Sequence, residues 1–185
     1  MQTGNHMPGQ IKRYAVAAIV ALGFSLAPGE LRTSQEAQEK IATWEECRAF
    51  PYRDIAGVKT VGCGSTGNVP DRHHTKQEVA GRWVNDLRRA ENCINQNFNG
   101  RDMPQRHFEA MTDAAFNLGC KGLMWFKGRD GRMHRTTIWK FAQGKNWSAM
   151  CGRLTDFVNS GGRYSQGLFN RRNDFRNWCM NGVKQ

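Results

Sequence analysis

A chain of 185 residues with a hydrophobic fraction of 39% is long enough to bury one sizeable core and too short for several ordinary domains. Its 27 Lys and Arg outnumber 16 Asp and Glu, and the formal net charge of +11 draws the protein toward anionic polymers and surfaces. No repeat, low-complexity tract or nucleic-acid-binding motif accompanies that charge, which argues against a nucleic-acid partner. A rival reading from charge alone is a cationic membrane disrupter or nucleic-acid binder with Arg163, Arg171, Arg172 and Arg176 as its patch.

Residues 1–10 are polar, Lys12 and Arg13 follow, and residues 14–27 (YAVAAIVALGFSLA) form an uncharged apolar run closed by Pro28, Gly29 and Glu30. A basic start before an apolar centre marks an export signal, and the two cations set the N-terminus on the cytoplasmic side. The best small-residue cleavage site, Ser25-Leu26-Ala27, is followed by Pro28, which signal peptidases tolerate poorly, so the segment is expected to stay attached. It makes a weak tether. A stable span needs roughly 20 apolar residues, whereas this run is shorter, rich in Ala and interrupted by Gly23 and Ser25. Burying Ala yields much less transfer free energy than burying Leu. Three readings stand open for it: a weak membrane anchor, a cleaved signal and a buried core helix.

Thr33 with Glu36 three residues later reads as a capping box, and Ala37, Ile41 and Trp44 then recur on one face, which predicts a helix ending near Glu45. Gly57 follows, with Tyr52 and Ile55 before it and Val58 and Val61 after. This pattern predicts a hairpin about Ala56-Gly57, with Asp54 and Thr60 facing each other across the strands. A carboxyl that protonates a leaving oxygen, and a carboxylate with a hydroxyl that hold a water, are what glycosidic-bond hydrolysis requires. Glu45, Asp54 and Thr60 supply those groups, although carboxylates near a hairpin are more often solvated. Glu46 reads as a surface charge, and Arg48 and Arg53 either bind carboxylates or face solvent.

Thr75 with Glu78 makes another capping box, followed by Val79, Trp83, Leu87, Ala90, Ile94 and Phe98 on one face of a long helix. Pro104 opens a second helix with Phe108, Met111, Ala115 and Leu118 inward, stopped by Gly119. Helices are also predicted over residues 136–143, 147–158 and 168–180, with Gly161-Gly162 as a break. Trp125, Phe126, Trp139, Trp147 and Trp178 are read as core before sugar-stacking platforms. His73, His74, His107 and His134 show no metal-ligand spacing, so neither a metal nor another cofactor is assigned. Cys47, Cys63, Cys93, Cys120, Cys151 and Cys179 form an even set without C-x-x-C spacing, which favours disulfides in an oxidising compartment. Pairing neighbours along the chain would join 47 to 63, 93 to 120 and 151 to 179.

The run from Trp44 to Gly62 resembles the active-site segment of phage-type lysozymes (glycoside hydrolase family 24), in which a Glu is followed nine positions on by an Asp and six further by a Thr. Glu45, Asp54 and Thr60 meet that spacing and Glu46 does not. Further likeness lies in residues 108–119 (FEAMTDAAFNLG), in Thr136-Thr137-Ile138 with Asn146, and in Gly167-Leu168 with Arg171-Arg172. In many relatives an acidic residue follows the paired arginines; Phe175 stands near that place here. The resemblance implies an α+β lysozyme-like fold, a small sheet lobe plus a larger helical lobe with the cleft between, preceded by an N-terminal hydrophobic helix. It implies Glu45 as general acid, Asp54 as the carboxylate that positions water, Thr60 as its hydroxyl partner and Asn117 as a substrate-binding amide.

The activity it implies is an endolysin's: hydrolysis of the β-1,4 bond between N-acetylmuramic acid and N-acetylglucosamine in peptidoglycan, lysing the host as phage infection ends. The N-terminal run further resembles the signal-anchor of release-type endolysins. On that likeness residues 1–30 are the anchor and 31–185 the catalytic domain. The implied partners are the host export machinery, the inner membrane and peptidoglycan. The protein is then a monomer held at the periplasmic face of the inner membrane and released to the periplasm. Some such relatives are controlled by thiol exchange between the anchor and an active-site cysteine. Residues 14–27 contain no cysteine, so control here is expected to be topological, with Cys47 structural.

Overall fold

The computed structural model describes residues 12–54 and 57–182. The polar residues 1–10, and Ala56 at the hairpin turn, lie outside them. Helix α1 spans Val16–Leu26 and α2 Gln35–Ala42. Strands β1 (Cys47–Arg53), β2 (Lys59–Cys63) and β3 (Ser65–Thr66) form one antiparallel sheet in the order β1-β2-β3. Helix α3 (Lys76–Asn97) leads to α4 (Gln105–Met124), and a hairpin of β4 (Trp125–Lys127) and β5 (Met133–Arg135) follows. Helices α5 (Thr137–Gln143) and α6 (Trp147–Gly152), a second hairpin of β6 (Asn159–Ser160) and β7 (Arg163–Tyr164), and α7 (Gln166–Asn181) complete the helical side.

The long helix α3 joins the two sides. Its N-terminus carries the expected capping box: Thr75 Oγ1 accepts from the Glu78 N–H, and the Thr75 N–H donates to the Glu78 carboxylate. Val79, Trp83, Leu87, Ala90 and Ile94 are buried along one face, which packs against the sheet near its start and against α4 along its length. Helix α4 passes through Gly119 at φ 72°, ψ 154°, so that glycine breaks the helix, and a further turn runs on to Met124. Residues 147–158 form a shorter helix than expected, because α6 ends at Gly152 and tightens into a 3-10 turn over Arg153–Asp156.

The start of α2 differs from the sequence expectation. Ser34, not Thr33, is the cap, its hydroxyl accepting from the Ala37 N–H. Thr33 is fully buried, and both its N–H and its hydroxyl donate to Glu91 Oε1 on α3. The charged carboxylate binds both Thr33 donors strongly and fixes that side chain in the interior, and the Ser34 hydroxyl accepts from the helix end in its place.

The apolar segment packs into the body. Ile19 and Val20 of α1 are fully buried, and α1 lies against α2 and α3. Tyr14 donates its N–H to the Cys47 carbonyl at 2.8 Å and its hydroxyl to the His74 carbonyl at 2.7 Å, while the Ala49 N–H reaches the Lys12 carbonyl at 2.9 Å. Residues 12–14 thus lie beside β1. At Gly23 a Cβ would come within 3.2 Å of Val84 Cγ2 and 3.5 Å of Trp83 Cδ1. The residue that weakens a membrane span is the one that lets α1 approach α3. No helix among the described residues is long and apolar enough to cross a membrane.

Three disulfides join Cys47 to Cys63, Cys93 to Cys120 and Cys151 to Cys179, the pairing of neighbours along the chain. The first joins β1 to β2 at directly opposed positions, the second ties α3 to the segment after Gly119, and the third ties α6 to α7.

Gly23→Leu is expected to destabilise this packed form by about 1–3 kcal/mol through overpacking against Trp83 and Val84, read as a lower denaturation midpoint with an unchanged slope. Hydrogen bonding to Arg72, then to the Thr75 N–H, holds the exposed Glu78 carboxyl down at about 2, against an ordinary 4.5. A carboxyl depressed on folding stabilises above its unfolded value and loses that contribution as pH falls through the folded one. Glu78→Gln should therefore lower Tm at neutral pH, with the difference from wild type closing as the pH approaches 2.

Candidate active site

Glu45 lies in the short link between α2 and β1, its N–H bonded to the Ala42 carbonyl at 3.0 Å. Its side chain is mostly buried, and Oε1 accepts from Arg171 Nη1 at 2.7 Å. Arg171 also donates from Nε and Nη2 to Asp113 Oδ1, at 2.9 and 2.6 Å, and Arg172 donates to Asp113 Oδ2 at 2.6 Å. The second nitrogen of Arg172 donates to Asn117 Oδ1. Asp113 and Arg172 have no exposed side-chain surface and Arg171 only 5%. A buried chain of charge therefore runs from α7 through α4 to Glu45.

The electrostatics follow from that chain. Burial pushes the Glu45 carboxyl up, against the opposing pull of Arg171, its hydrogen bond and the more distant Arg172, with Asp113 adding to the rise. Burial alone would lower Arg171, yet Asp113 and Glu45 together outweigh it and the guanidinium is raised. Arg172 is lowered by burial in spite of Asp113. Glu45 is thus biased toward its protonated form with one oxygen already committed to Arg171. The other, Oε2, lies by Gly64, where at φ +85° a Cβ would stand only 3.1 Å from it.

The sheet supplies the facing groups. In the β1–β2 register Tyr52 stands opposite Thr60 and Arg53 opposite Lys59. Asp54 therefore lies diagonal to Thr60, two residues beyond its cross-strand neighbour, instead of directly opposite as the sequence suggested. Asp54 closes the turn: its N–H donates to the Val58 carbonyl at 3.0 Å and its Oδ1 accepts from the Val58 N–H at 2.9 Å. Thr60 is 2% exposed and donates to the Val58 carbonyl at 3.0 Å. Tyr52, which the sequence did not single out, is half-buried, and its hydroxyl is pushed up by burial first and then by the Glu45 charge. Arg48 stacks on its ring with the guanidinium carbon 4.3 Å from the centroid.

The remaining candidates divide clearly. Glu46 is exposed and paired with Arg48 and Arg13, and Arg53 donates to the Gly57 carbonyl at 2.7 Å. Trp139, Trp147 and Trp178 pack against the core, whereas Phe126 is exposed. Arg171 and Arg172 are interior and committed to carboxylates, so they cannot form the basic surface patch of a membrane or nucleic-acid binder. An acid does follow these arginines: Asp174 pairs with Lys40 and accepts from the Trp44 indole, next to the buried Phe175. His107, Cys151 and Cys179 lie within 4.8 Å of one another. The two sulfurs are bonded to each other and offer no thiolate ligand.

Comparison with known proteins decides the family. The phage lysozyme family model matches residues 42–174, well over half of the chain. The chain belongs to the phage lysozyme family. It is 42% identical over 172 residues to a "SAR-endolysin" of Escherichia phage P1, covering 91% of this chain and 93% of the relative. A "SAR-endolysin" of Haemophilus phage HP1 is 39% identical over 172 residues, covering 89% and 92%. Among solved structures, the active form of P1 phage endolysin Lyz superposes with a TM-score of 0.87 at 40% identity, covering 95% of this chain and 98% of that one. The secreted inactive form of the same endolysin gives only 0.58 at 32% identity, covering 93% and 97%. The architecture is the lysozyme-like mixture of helices and small antiparallel sheets, and its arrangement is that of the active relative.

Two substitutions test this geometry. Gly64→Ala forces a side chain into a left-handed backbone, at about 1–2 kcal/mol, and crowds Glu45 Oε2, so kcat should fall more than Tm alone explains. Arg171→Met leaves Glu45 and Asp113 short of a partner in a buried site, and should cost about 3–5 kcal/mol of stability. Because Arg171 favours the Glu45 carboxylate, its loss should move the ionisation of Glu45, followed by NMR titration, to higher pH.

Proposed function

We propose that this chain is a phage endolysin that lyses its host by cleaving peptidoglycan, with Glu45, Asp54 and Thr60 as its catalytic groups. The observation that carries this reading is the burial of Glu45 on a committed arginine, at the family's active-site position. A carboxyl raised by desolvation is suited to donate a proton near neutral pH. Arg171 holds Oε1, so the proton resides on Oε2 by Gly64 and passes to the leaving oxygen of the glycosidic bond. The bond is the β-1,4 linkage between N-acetylmuramic acid and N-acetylglucosamine. As the leaving sugar departs, positive charge develops on the ring; Asp54 positions the water that meets it, with Thr60 as the hydroxyl partner. Asn117, held at its oxygen by Arg172, keeps its NH2 group free to donate to a saccharide.

Residues 1–30 are proposed as the signal-anchor that directs export and holds the enzyme at the periplasmic face of the inner membrane, with 31–185 as the catalytic domain. The support is the apolar run, the names of the two relatives and the weakness of an Ala-rich tether. Release frees the chain into the periplasm, where α1 enters the body beside α3. Activity and location are then coupled, because the face that receives α1 includes Trp83 and Val84 of the helix that spans both lobes. Control is topological, and Cys47 is structural, bonded to Cys63.

Turbidity of outer-membrane-permeabilised Gram-negative cells tests both parts, using full-length wild type, Glu45→Gln and Cys47→Ser. Glu45→Gln should abolish lysis while leaving Tm equal or higher near neutral pH. The sign follows because a carboxyl raised on folding costs stability as pH climbs through its folded value. Lysis by Glu45→Gln at the wild-type rate would refute the catalytic assignment. Activation of the tethered form by Cys47→Ser would refute topological control.

A further inference from the structure

The sequence showed no element between α4 and α5, yet residues 125–135 form the β4–β5 hairpin. We propose that this hairpin is a binding arm for the acidic peptides that substitute the glycan strand, gripping their carboxylates with Lys127, Arg129 and Arg132. The proposal rests on the reading of the cleft as a peptidoglycan-cleaving site.

The charge of the arm is unspent. Lys127, Arg129 and Arg132 are exposed, and among the described residues no carboxylate forms an ion pair with any of them. Elsewhere Arg13, Lys40, Lys59, Arg72, Arg88 and Arg153 each have an acidic partner. The one acid of the arm, Asp130, bonds to His134 and caps the turn through the Arg132 N–H at 3.0 Å. Lys127, Arg129 and Arg132 outnumber the single carboxylate of Asp130 on this arm, and the net positive field that remains seeks an anion from outside.

The arm is also pre-organised. Arg135 lies between two indoles, its guanidinium carbon 3.8 Å from the Trp125 ring centre and 4.3 Å from that of Trp139. The buried Thr136 donates its hydroxyl to the Leu123 carbonyl at 2.7 Å and its N–H to the Met124 carbonyl at 3.0 Å. The Gly128 N–H bonds to the Arg132 carbonyl at 2.8 Å, and Gly131 takes the left-handed turn position. A fixed base and a closed turn lower the entropy lost on binding. The arm follows α4, the helix that carries Asp113 and Asn117, after the break at Gly119.

The chemistry of the tip selects the ligand. Its residues, Gly128-Arg129-Asp130-Gly131-Arg132, are without an apolar side chain. The two exposed apolar groups of the arm fall on opposite faces, since Phe126 pairs with His134 and Met133 with Lys127. A bilayer-inserting hairpin needs an apolar tip or one apolar face. Separated cations match the spaced carboxylates of a peptide better.

The test compares full-length wild type with Lys127→Ala/Arg129→Ala/Arg132→Ala on intact sacculi and on the same glycan strands stripped of peptide by an amidase. On sacculi the triple variant should raise KM about tenfold with kcat within about twofold, and flatten the salt dependence of kcat/KM. On stripped strands both constants should match wild type. Arg129→Glu alone, at an exposed turn, should move the sacculus KM in the same direction and serves if the triple variant folds poorly. An equal change on both substrates, or none on sacculi, overturns the proposal. So does a variant that loses only its binding to phosphatidylglycerol vesicles, which would assign the arm to a bilayer. Glu45→Gln run alongside must be inactive on both substrates; turnover there would refute the cleft reading and not the arm.

Discussion

The contact on which the site depends is the buried ion chain of Glu45, Arg171, Asp113 and Arg172. It joins the link after α2 to helices α4 and α7, so the acid is fixed relative to the helical lobe by charge-assisted bonds with tight angular demands. Desolvating such a group is costly, and its partners do not raise stability above what an apolar core would give. Position and protonation explain its presence better than stability does. Burial raises the Glu45 carboxyl while Arg171 limits the rise.

The sheet side meets different constraints. Strands β1 and β2 are clamped by Cys47 and Cys63 at one end, and the Asp54 turn closes the other. Between them the register sets Tyr52 against Thr60, so the Asp54 carboxylate and the Thr60 hydroxyl sit diagonally on the sheet. Gly64 then brings the third strand close to Glu45 without covering Oε2.

Helix α1 is uncharged and Ala-rich with one Gly, and it buries Ile19 and Val20 in the body. The same small residues let it pack at close range on Trp83 and Val84. Likeness to the active relative, at a TM-score of 0.87 against 0.58 for the inactive form, fits a state in which that packing is complete.

Local chemistry was readable along the chain. The Thr75 and Glu78 capping box, the apolar faces of α3 and α4, the place of Glu45 near the end of α2 and the hairpin around Gly57 all depend on neighbours within a few residues, and sequence spacing encodes those contacts. Ser34 caps in place of Thr33 because Glu91, 58 residues from Thr33, holds the Thr33 side chain in the interior. Asp113 and the two arginines stood in stretches that resemble the family, but nothing local told that they pair with one another in the interior. Arg171 meets Glu45 across 126 residues, and no local period can announce such a pairing. The β4–β5 hairpin escaped notice for the opposite reason, since its short strands carry Lys, Arg and Met where alternation should show. The amino-acid order carried the long helices, the hairpin at Gly57, the family pattern and the candidate trio. Tertiary packing alone chose which charges meet in the interior, because burying them is favourable only when distant partners arrive together.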